Sequence, residues 1–311
     1  MAQAPPATRS AVDGRFQLGQ PLVGWGFGEA WRARDGNFRN RAVVVKLLGP
    51  EALDGDGPSA AFVTAVKAAR TLRHPQLLAL VHSGLHDGRP YVVYESLEGT
   101  SLAQHLEDTA RSGAPLDLPQ VERIVDLACA GLGAAHEAPQ PLVHGGVHPG
   151  AFVLRQGDAG VELKAIDLGL WPFAPTTTRE ALRVWTAPER LRAGPGADAA
   201  PAEDVFALGM LTVELLLAHL DTARRDTARA TAAREGASRA LRLRDDVPDG
   251  VWEVLDQSLR HDPGTRFEHA SALRDALHSA WRTRASHAPR EVGARTAGGG
   301  PPDLSRLSAP M

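Results

Sequence analysis

A single cysteine, Cys129, occurs in 311 residues. That excludes an intrachain disulfide and makes a reducing, cytoplasmic compartment the simpler assignment. Cys129 lies in an apolar helical stretch, so an inert core thiol is favoured over a reactive one. There is no excess of one charge. Thirty-four basic residues stand against thirty-seven acidic ones, for a net charge of -3, which gives no reason to expect a nucleic-acid partner. Long hydrophobic runs are missing too. The strongest, Val205 to Leu220, falls short of the roughly 20 residues of a membrane span and is interrupted by Glu214. The first residues, Met1-Ala-Gln-Ala-Pro-Pro6, lack the basic region and apolar run of a signal peptide. What is present, 43% hydrophobic and 23% charged residues, is ordinary for a soluble globular chain long enough for one large domain or two lobes.

Periodicity divides the chain. Residues 1–12 are Ala-, Pro- and polar-rich and read as disordered. From Phe16 to Leu48 the pattern is strand, Gly-rich turn, strand, and then the β-branched run Val43-Val-Val-Lys-Leu-Leu48, typical of a buried strand. After a loop over Gly49 to Pro58, Ser59 is placed to cap a helix that extends to Arg73. Two strand signals follow, Leu77 to Ser83 and Pro90 to Glu95, separated by the turn His86-Asp-Gly88. Beyond Gly99 the spacing predicts long helices at Ser101 to Arg111, Leu118 to Ala138, Glu203 to Leu220 and Val251 to Arg260, interrupted by short strands at Phe152 to Leu154 and Val161 to Ile166. A strand-rich third followed by a helix-rich remainder predicts a two-lobed α+β domain over 13–284, with an N-lobe at 13–95 and a C-lobe at 100–284. The Ala/Gly/Pro/Arg-rich residues 285–311 read as a disordered tail.

Several motifs in this order resemble those of the protein kinase superfamily, the bacterial Ser/Thr kinases most closely. Gly26-Phe-Gly-Glu-Ala-Trp31 resembles the end of the Gly-rich loop, and Val44-Val-Lys46 the strand with the phosphate-binding Lys. Leu72-Arg-His-Pro75 is similar to the segment after the C helix. Tyr91-Val-Val-Tyr-Glu-Ser-Leu97 is similar to the hinge, with Tyr94 at the gatekeeper position. Ile166-Asp-Leu-Gly169 resembles D-F-G, Ala187-Pro-Glu189 matches A-P-E, Asp204-Val-Phe-Ala-Leu-Gly209 resembles the start of the F helix, and Asp262-Pro-Gly-Thr-Arg266 the late Arg motif. The resemblance implies a kinase-like fold over roughly residues 14–282, a buried Glu189–Arg266 ion pair, and an Asp204 that holds the catalytic-loop backbone. As nucleotide-binding candidates it implies Lys46, Gly24, Gly26, Gly28, Glu95 and Leu97, with Asp167 as the metal candidate.

The residues that carry chemistry depart from the pattern. Where a kinase loop reads H-R-D-L-K-P-E-N, this chain reads His144-Gly-Gly-Val-His-Pro-Gly-Ala151. The base is Gly146, the metal-binding Asn is Ala151, the Lys is His148, and the phosphate-reading Arg is Gly145. The Gly-rich loop reads Val23-Gly-Trp-Gly-Phe-Gly28, and the Trp25 indole could fill the space that phosphates need. The C-helix Glu that would hold Lys46 falls at Ala65. Lys46 is then left either to a nucleotide or to a direct pair with Asp167, and Asp167 either to one weak Mg²⁺ site or to that same structural pair. General-base participation is worth about 10²–10⁴ in rate, and His148 is the only candidate to replace it, set against a plain polar loop role. Thr176-Thr-Thr178 reads as a surface turn that another kinase could modify. Arg224, Arg225, Arg229, Arg234, Arg239, Arg242 and Arg244 read as a solvated helix face or a docking surface for an acidic partner.

The expected function is that of a catalytically inactive kinase homologue, a scaffold or regulator for a protein partner such as another kinase or signalling protein. Under this reading ATP with Mg²⁺ binds weakly or not at all. The alternative is a weak or altered ATP-dependent phosphotransferase that uses Lys46 and Asp167.

Overall fold

The computed structural model describes residues 11–157, 160–194, 198–237 and 244–283. Residues 1–10 and 284–311, which include the tail read above as disordered (285–311), lie outside the described residues, as do Arg239 and Arg242. Ala11–Val12, placed in the disordered N-terminus by sequence, forms a short strand instead, because Ala11 pairs with Gln17 and Val12 with Phe16, and Val12 is buried.

The first lobe is one antiparallel sheet in the order β1-β2-β3-β4-β8-β7. Its strands are β1 (Ala11–Val12), β2 (Phe16–Leu22), β3 (Glu29–Asp35), β4 (Arg41–Leu47), β7 (Leu80–His86) and β8 (Arg89–Glu95). A two-stranded ribbon, β5 (Leu53–Asp54) and β6 (Gly57–Pro58), precedes helix α1 (Ala60–Thr71). The Ser59 hydroxyl caps α1, accepting from the Phe62 N–H at 3.1 Å. β4 is central, paired with β3 and β8, and Val43, Val44, Val45 and Lys46 are all buried, as a β-branched run on a covered sheet requires.

The second lobe is helical. Its helices are α2 (Leu102–Ser112), α3 (Leu118–His136), α4 (Thr176–Ala181), α5 (Pro188–Ala193), α6 (Pro201–Leu216), α7 (Thr222–Glu235), α8 (Asp249–Ser258) and α9 (Ala270–Thr283). A small sheet of β9 (Thr100–Ser101), β10 (Phe152–Gly157) and β11 (Gly160–Ala165) underlies the cleft. Every residue of α6 from Glu203 to Leu216 is buried. A mostly apolar helix buried on all sides is a core helix, and α3, α8 and α9 pack around it. Among the described residues no helix is long and apolar enough to cross a membrane.

Candidate functional site

Lys46, at the end of the buried β4 run, has no solvent exposure and one dominant partner. Its Nζ lies 2.7 Å from Asp167 Oδ1 and 2.5 Å from Oδ2, and donates a third bond to the Trp25 carbonyl at 2.8 Å. Burial lowers the Lys46 ammonium pKa, and the Asp167 charge offsets part of that. The Tyr94 hydroxyl donates to Asp167 Oδ1 at 3.1 Å. Burial first, then the neighbouring Asp167 charge, pushes the Tyr94 phenol far above its usual range, so it stays a donor. Ala65 on α1 offers Lys46 no acid, and the direct pair with Asp167 takes its place. No cluster of three potential metal ligands forms among the described residues.

The glycine loop has folded into this pair. Gly26 has φ +62°, its N–H donates to the Gly150 carbonyl at 2.9 Å, and a Cβ there would collide with Asp167 Oδ2. Only glycine fits so close an approach. Gly24 (φ +73°) packs beside Ser101, and Gly28 (φ +78°) against the Leu47 carbonyl. Trp25, between them, is 4% exposed, whereas Val23 is 90% exposed. The Trp25 indole belongs to the apolar cluster that contains Ala30, Val44, Leu97, Val153 and Ile166. Leu97 thus shares a cluster with Trp25. Glu95 turns away, pairing with Lys164 at 3.1 Å and accepting from the Ala79 N–H.

The loop at 144–151 is held from below. Asp204 accepts from the backbone N–H of His144 at 2.7 Å and of Gly145 at 2.8 Å, and from His136 Nε2 at 2.9 Å. The Ala270 N–H donates to His136 Nδ1, which fixes the proton of this imidazole on Nε2. Burial alone would raise the Asp204 carboxyl, but the His136 bond and the neighbouring N–H groups bring it below its ordinary range. His144 Nε2 reaches the Ile166 carbonyl at 2.8 Å.

Gly146 is filled from across the chain. A Cβ at this position would run into the Trp171 ring, and Trp171 is itself buried and stacked edge-on against Phe27. Gly146→Ala is therefore expected to cost about 1–3 kcal/mol by overpacking. The same change in a Trp171→Ala background should cost little, and urea unfolding of the four variants measures the coupling.

His148 is 8% exposed, and its Nδ1–H donates to the Gly146 carbonyl at 2.8 Å. Burial drives its pKa down to about 4, so it is a neutral and weakly basic imidazole, poorly suited to the base role. The unfolded chain binds the proton between pH 6.5 and about 4 while the folded chain does not. The stability gained by keeping His148 neutral is therefore complete above pH 6.5 and is lost as pH falls toward 4. His148→Gln is expected to flatten that part of the urea-midpoint profile relative to the native chain.

The segment from Asp167 to Glu189 is anchored at its end. Arg266 forks onto both Glu189 oxygens at 2.7 and 2.8 Å, and Arg190 pairs with Glu203 at 2.7 Å. Thr176–Thr178 begin α4, a short helix where the sequence suggested a turn; the Leu182 N–H to Thr178 carbonyl bond closes its last turn. The arginine-rich stretch is not one solvated face. Arg224 is exposed beside Asp221, Arg225 turns inward to Glu214, and Arg244 is buried with its guanidinium on the Leu116 and Leu216 carbonyls. Cys129 is buried, and burial pushes its thiol up to about 12, as an inert core cysteine requires.

The sequence suggests a direct Lys46–Asp167 pair and, separately, a Trp25 indole in the space that phosphates need. It did not anticipate the Tyr94–Asp167 bond or the Trp171 ring over Gly146, whose only sequence signals are a gatekeeper able to donate and a bulky residue just after Asp167-Leu-Gly169.

The protein kinase domain family matches residues 22–281. The chain is 23% identical to the serine/threonine-protein kinase PrkC of Bacillus subtilis, over 87% of this chain and 41% of that protein. It is 29% identical to the tyrosine-protein kinase MasK of Myxococcus xanthus, over 85% and 42%, and 26% identical to the serine/threonine-protein kinase PknL of Mycobacterium tuberculosis, over 86% and 66%. The chain thus spans about two-fifths of the length of the first two. Among solved structures, the kinase domain of Mycobacterium tuberculosis PknI aligns with a TM-score of 0.65 at 23% identity, covering 89% of this chain and all of that one. A double mutant of the same domain aligns at 0.69 and 24%. These structures share the fold, a curled β-sheet lobe on a helical lobe.

Proposed function

The chain belongs to the protein kinase domain family, and from that membership we propose a cytoplasmic signalling protein that uses the fold to bind a protein partner, is catalytically inactive, and binds nucleotide weakly or not at all. The observation that carries this reading is the Trp171 ring over Gly146, which leaves no room for a base side chain at the loop position where the family keeps one. ATP with Mg²⁺ does not fit the site as it is arranged. Both Asp167 oxygens are engaged by Lys46, and one also by Tyr94. Gly26 packs directly on Asp167, Trp25 is buried in the cleft, and Ala151 has no oxygen to offer a second ion.

A second reading, an ATP-dependent phosphotransferase, is favoured by the intact Lys46–Asp167 pair and by relatives that are named as kinases. It requires the glycine loop to lift. Incubation with radiolabelled ATP and Mg²⁺, with and without a general acceptor protein, separates the two. The first reading expects no incorporation above that of Asp167→Ala. Incorporation that Asp167→Ala abolishes would establish the second.

A further inference from the structure

The turn that joins β3 to β4 carries positive charge and an aromatic ring into solvent. Arg32, Arg34, Phe38, Arg39 and Arg41 are all exposed, Phe38 at 59%. Among the described residues none of these four arginines has an ion pair, and Arg34 donates to the Asn40 carbonyl at 3.1 Å. Asp35, the one acid within this stretch, is 1% exposed and is taken by Arg15, which forks onto both of its oxygens at 2.8 Å. Asp13 accepts from the Tyr91 hydroxyl at 2.9 Å, and the Glu29–Arg89 pair lies at the far end of β3. Even with Asp13 counted, four arginines stand against one carboxylate.

This corner is held in place before anything binds. The guanidinium carbon of Arg15 lies 5.3 Å from the centre of the Phe38 ring and that of Arg41 5.8 Å. Asp35 thus fixes Arg15, and Arg15 holds the ring beside Arg41. Such fixing removes part of the ordering cost of association, and exposed aromatic and Arg side chains are the residues that interfaces favour. The backbone points the same way. Arg39 has φ +51° and Asn40 φ +54°, and the Arg41 N–H donates to the Phe38 carbonyl at 2.9 Å. A tight turn with two left-handed residues suits Gly, Asn or Asp. Asn40 meets that demand and Arg39 does not. An arginine kept against its backbone preference, with no ion pair to reward the fold, points to a use outside the fold.

We infer that this turn docks a short acidic segment of a protein partner, with its carboxylates on Arg34, Arg39 and Arg41 and an apolar side chain against Phe38. The inference rests on the partner-binding part of the reading above and gives that partner its chemistry; the Lys46–Asp167 cleft does not enter it. A second copy of the chain is a poor occupant, because a two-fold interface would set the arginines against themselves. An extended polyanion is a poor one too. The chain is net -3, so an anionic bilayer or a nucleic-acid strand repels the rest of its surface, whereas a short segment meets the turn alone. The two guanidiniums over Phe38 also take up the stacking room that a base needs.

The test is fluorescence anisotropy of the peptide Glu-Glu-Leu-Glu-Glu, carrying an uncharged dye, titrated with the full chain, with Gln-Gln-Leu-Gln-Gln as control. Saturable binding is expected, at least about tenfold tighter for the acidic peptide and weakened by added salt. Arg39→Gly should weaken it about threefold, the size of one exposed charge pair. Its urea midpoint should hold or rise, because glycine takes the left-handed backbone freely, so lost binding cannot be laid to lost folding. Arg34→Gln/Arg39→Gly/Arg41→Gln should weaken binding at least about tenfold. Equal binding of the two peptides, or unchanged binding by the triple variant, overturns the inference. So does tighter binding of phosphatidylserine vesicles or single-stranded DNA that the triple variant abolishes, or self-association in sedimentation that it abolishes. Phosphate incorporation from ATP has its own readout, so neither experiment decides the other.

Discussion

Trp25→Ala is expected to bind ATP about a hundredfold more tightly than the native chain. In the native chain the indole is buried in the cluster with Ala30, Val44, Leu97, Val153 and Ile166, and its backbone carbonyl accepts from Lys46. Removing a buried Trp side chain costs about 3–5 kcal/mol. Here that loss falls on the closed arrangement alone, since a lifted loop exposes the indole to water. Apparent affinity scales with the fraction of molecules whose cleft is open, so 3 kcal/mol shifted from closed to open corresponds to about a hundredfold gain. Calorimetric titration of both proteins with ATP, with and without Mg²⁺, measures it. Equal affinities would show that the indole does not gate the cleft. Gly26 adds a second latch through its bond to the Gly150 carbonyl, and this bond should open together with Trp25, because the two residues are adjacent.

What the sequence reveals about this molecule depends on the range of the interaction. The β4 run, the Ser59 cap and the largely apolar α6 are local patterns, and each forms close to where its spacing predicts. The framework of the site is legible for a related reason. Asp204 and the Glu189–Arg266 pair occupy motifs whose spacing is recognisable at once, and the structure brings each to its partner. The last helix, Ala270–Thr283, was not anticipated, although Leu273, Leu277, Ala280 and Trp281 recur at helical spacing and are buried. The intervening Ala and Ser residues dilute the contrast between its faces.

The contents of the site were the least legible part. Gly146 reads in the sequence as a loss, the place where an acid is missing. In the structure it is one half of a contact whose other half, Trp171, is contributed by a different segment. A glycine under an indole and a glycine left by decay look alike in one dimension. The same holds for Ala65. It removes an acid from α1, and the compensation appears only in three dimensions, where Lys46 finds Asp167, Tyr94 shares that carboxylate, and Trp25 closes over both.

Lys46→Met is expected to lower stability by about 3–5 kcal/mol, because it leaves the Asp167 carboxylate buried with the Tyr94 hydroxyl as its only remaining side-chain donor among the described residues. Asp167→Leu should cost a similar amount by stranding the ammonium. The double variant Lys46→Met/Asp167→Leu is expected to recover most of the loss and to equal or exceed the native chain, since a buried ion pair replaced by apolar side chains of similar volume is neutral or stabilising by about 1–4 kcal/mol. Urea unfolding of the four proteins gives the coupling energy. A single-variant loss below about 1 kcal/mol, the value of a surface pair, would mean that the cleft takes up water readily and that the closed arrangement is loose. The double variant also shows what the pair is for. If it folds as well as the native chain, stability does not require an ion pair at this place, and the remaining use for one is to meet a charged ligand. Built into the Trp25→Ala background, the apolar pair should then abolish the ATP binding gained there. If ATP still binds, Lys46 and Asp167 are not its receptors, and the phosphotransferase reading fails with them.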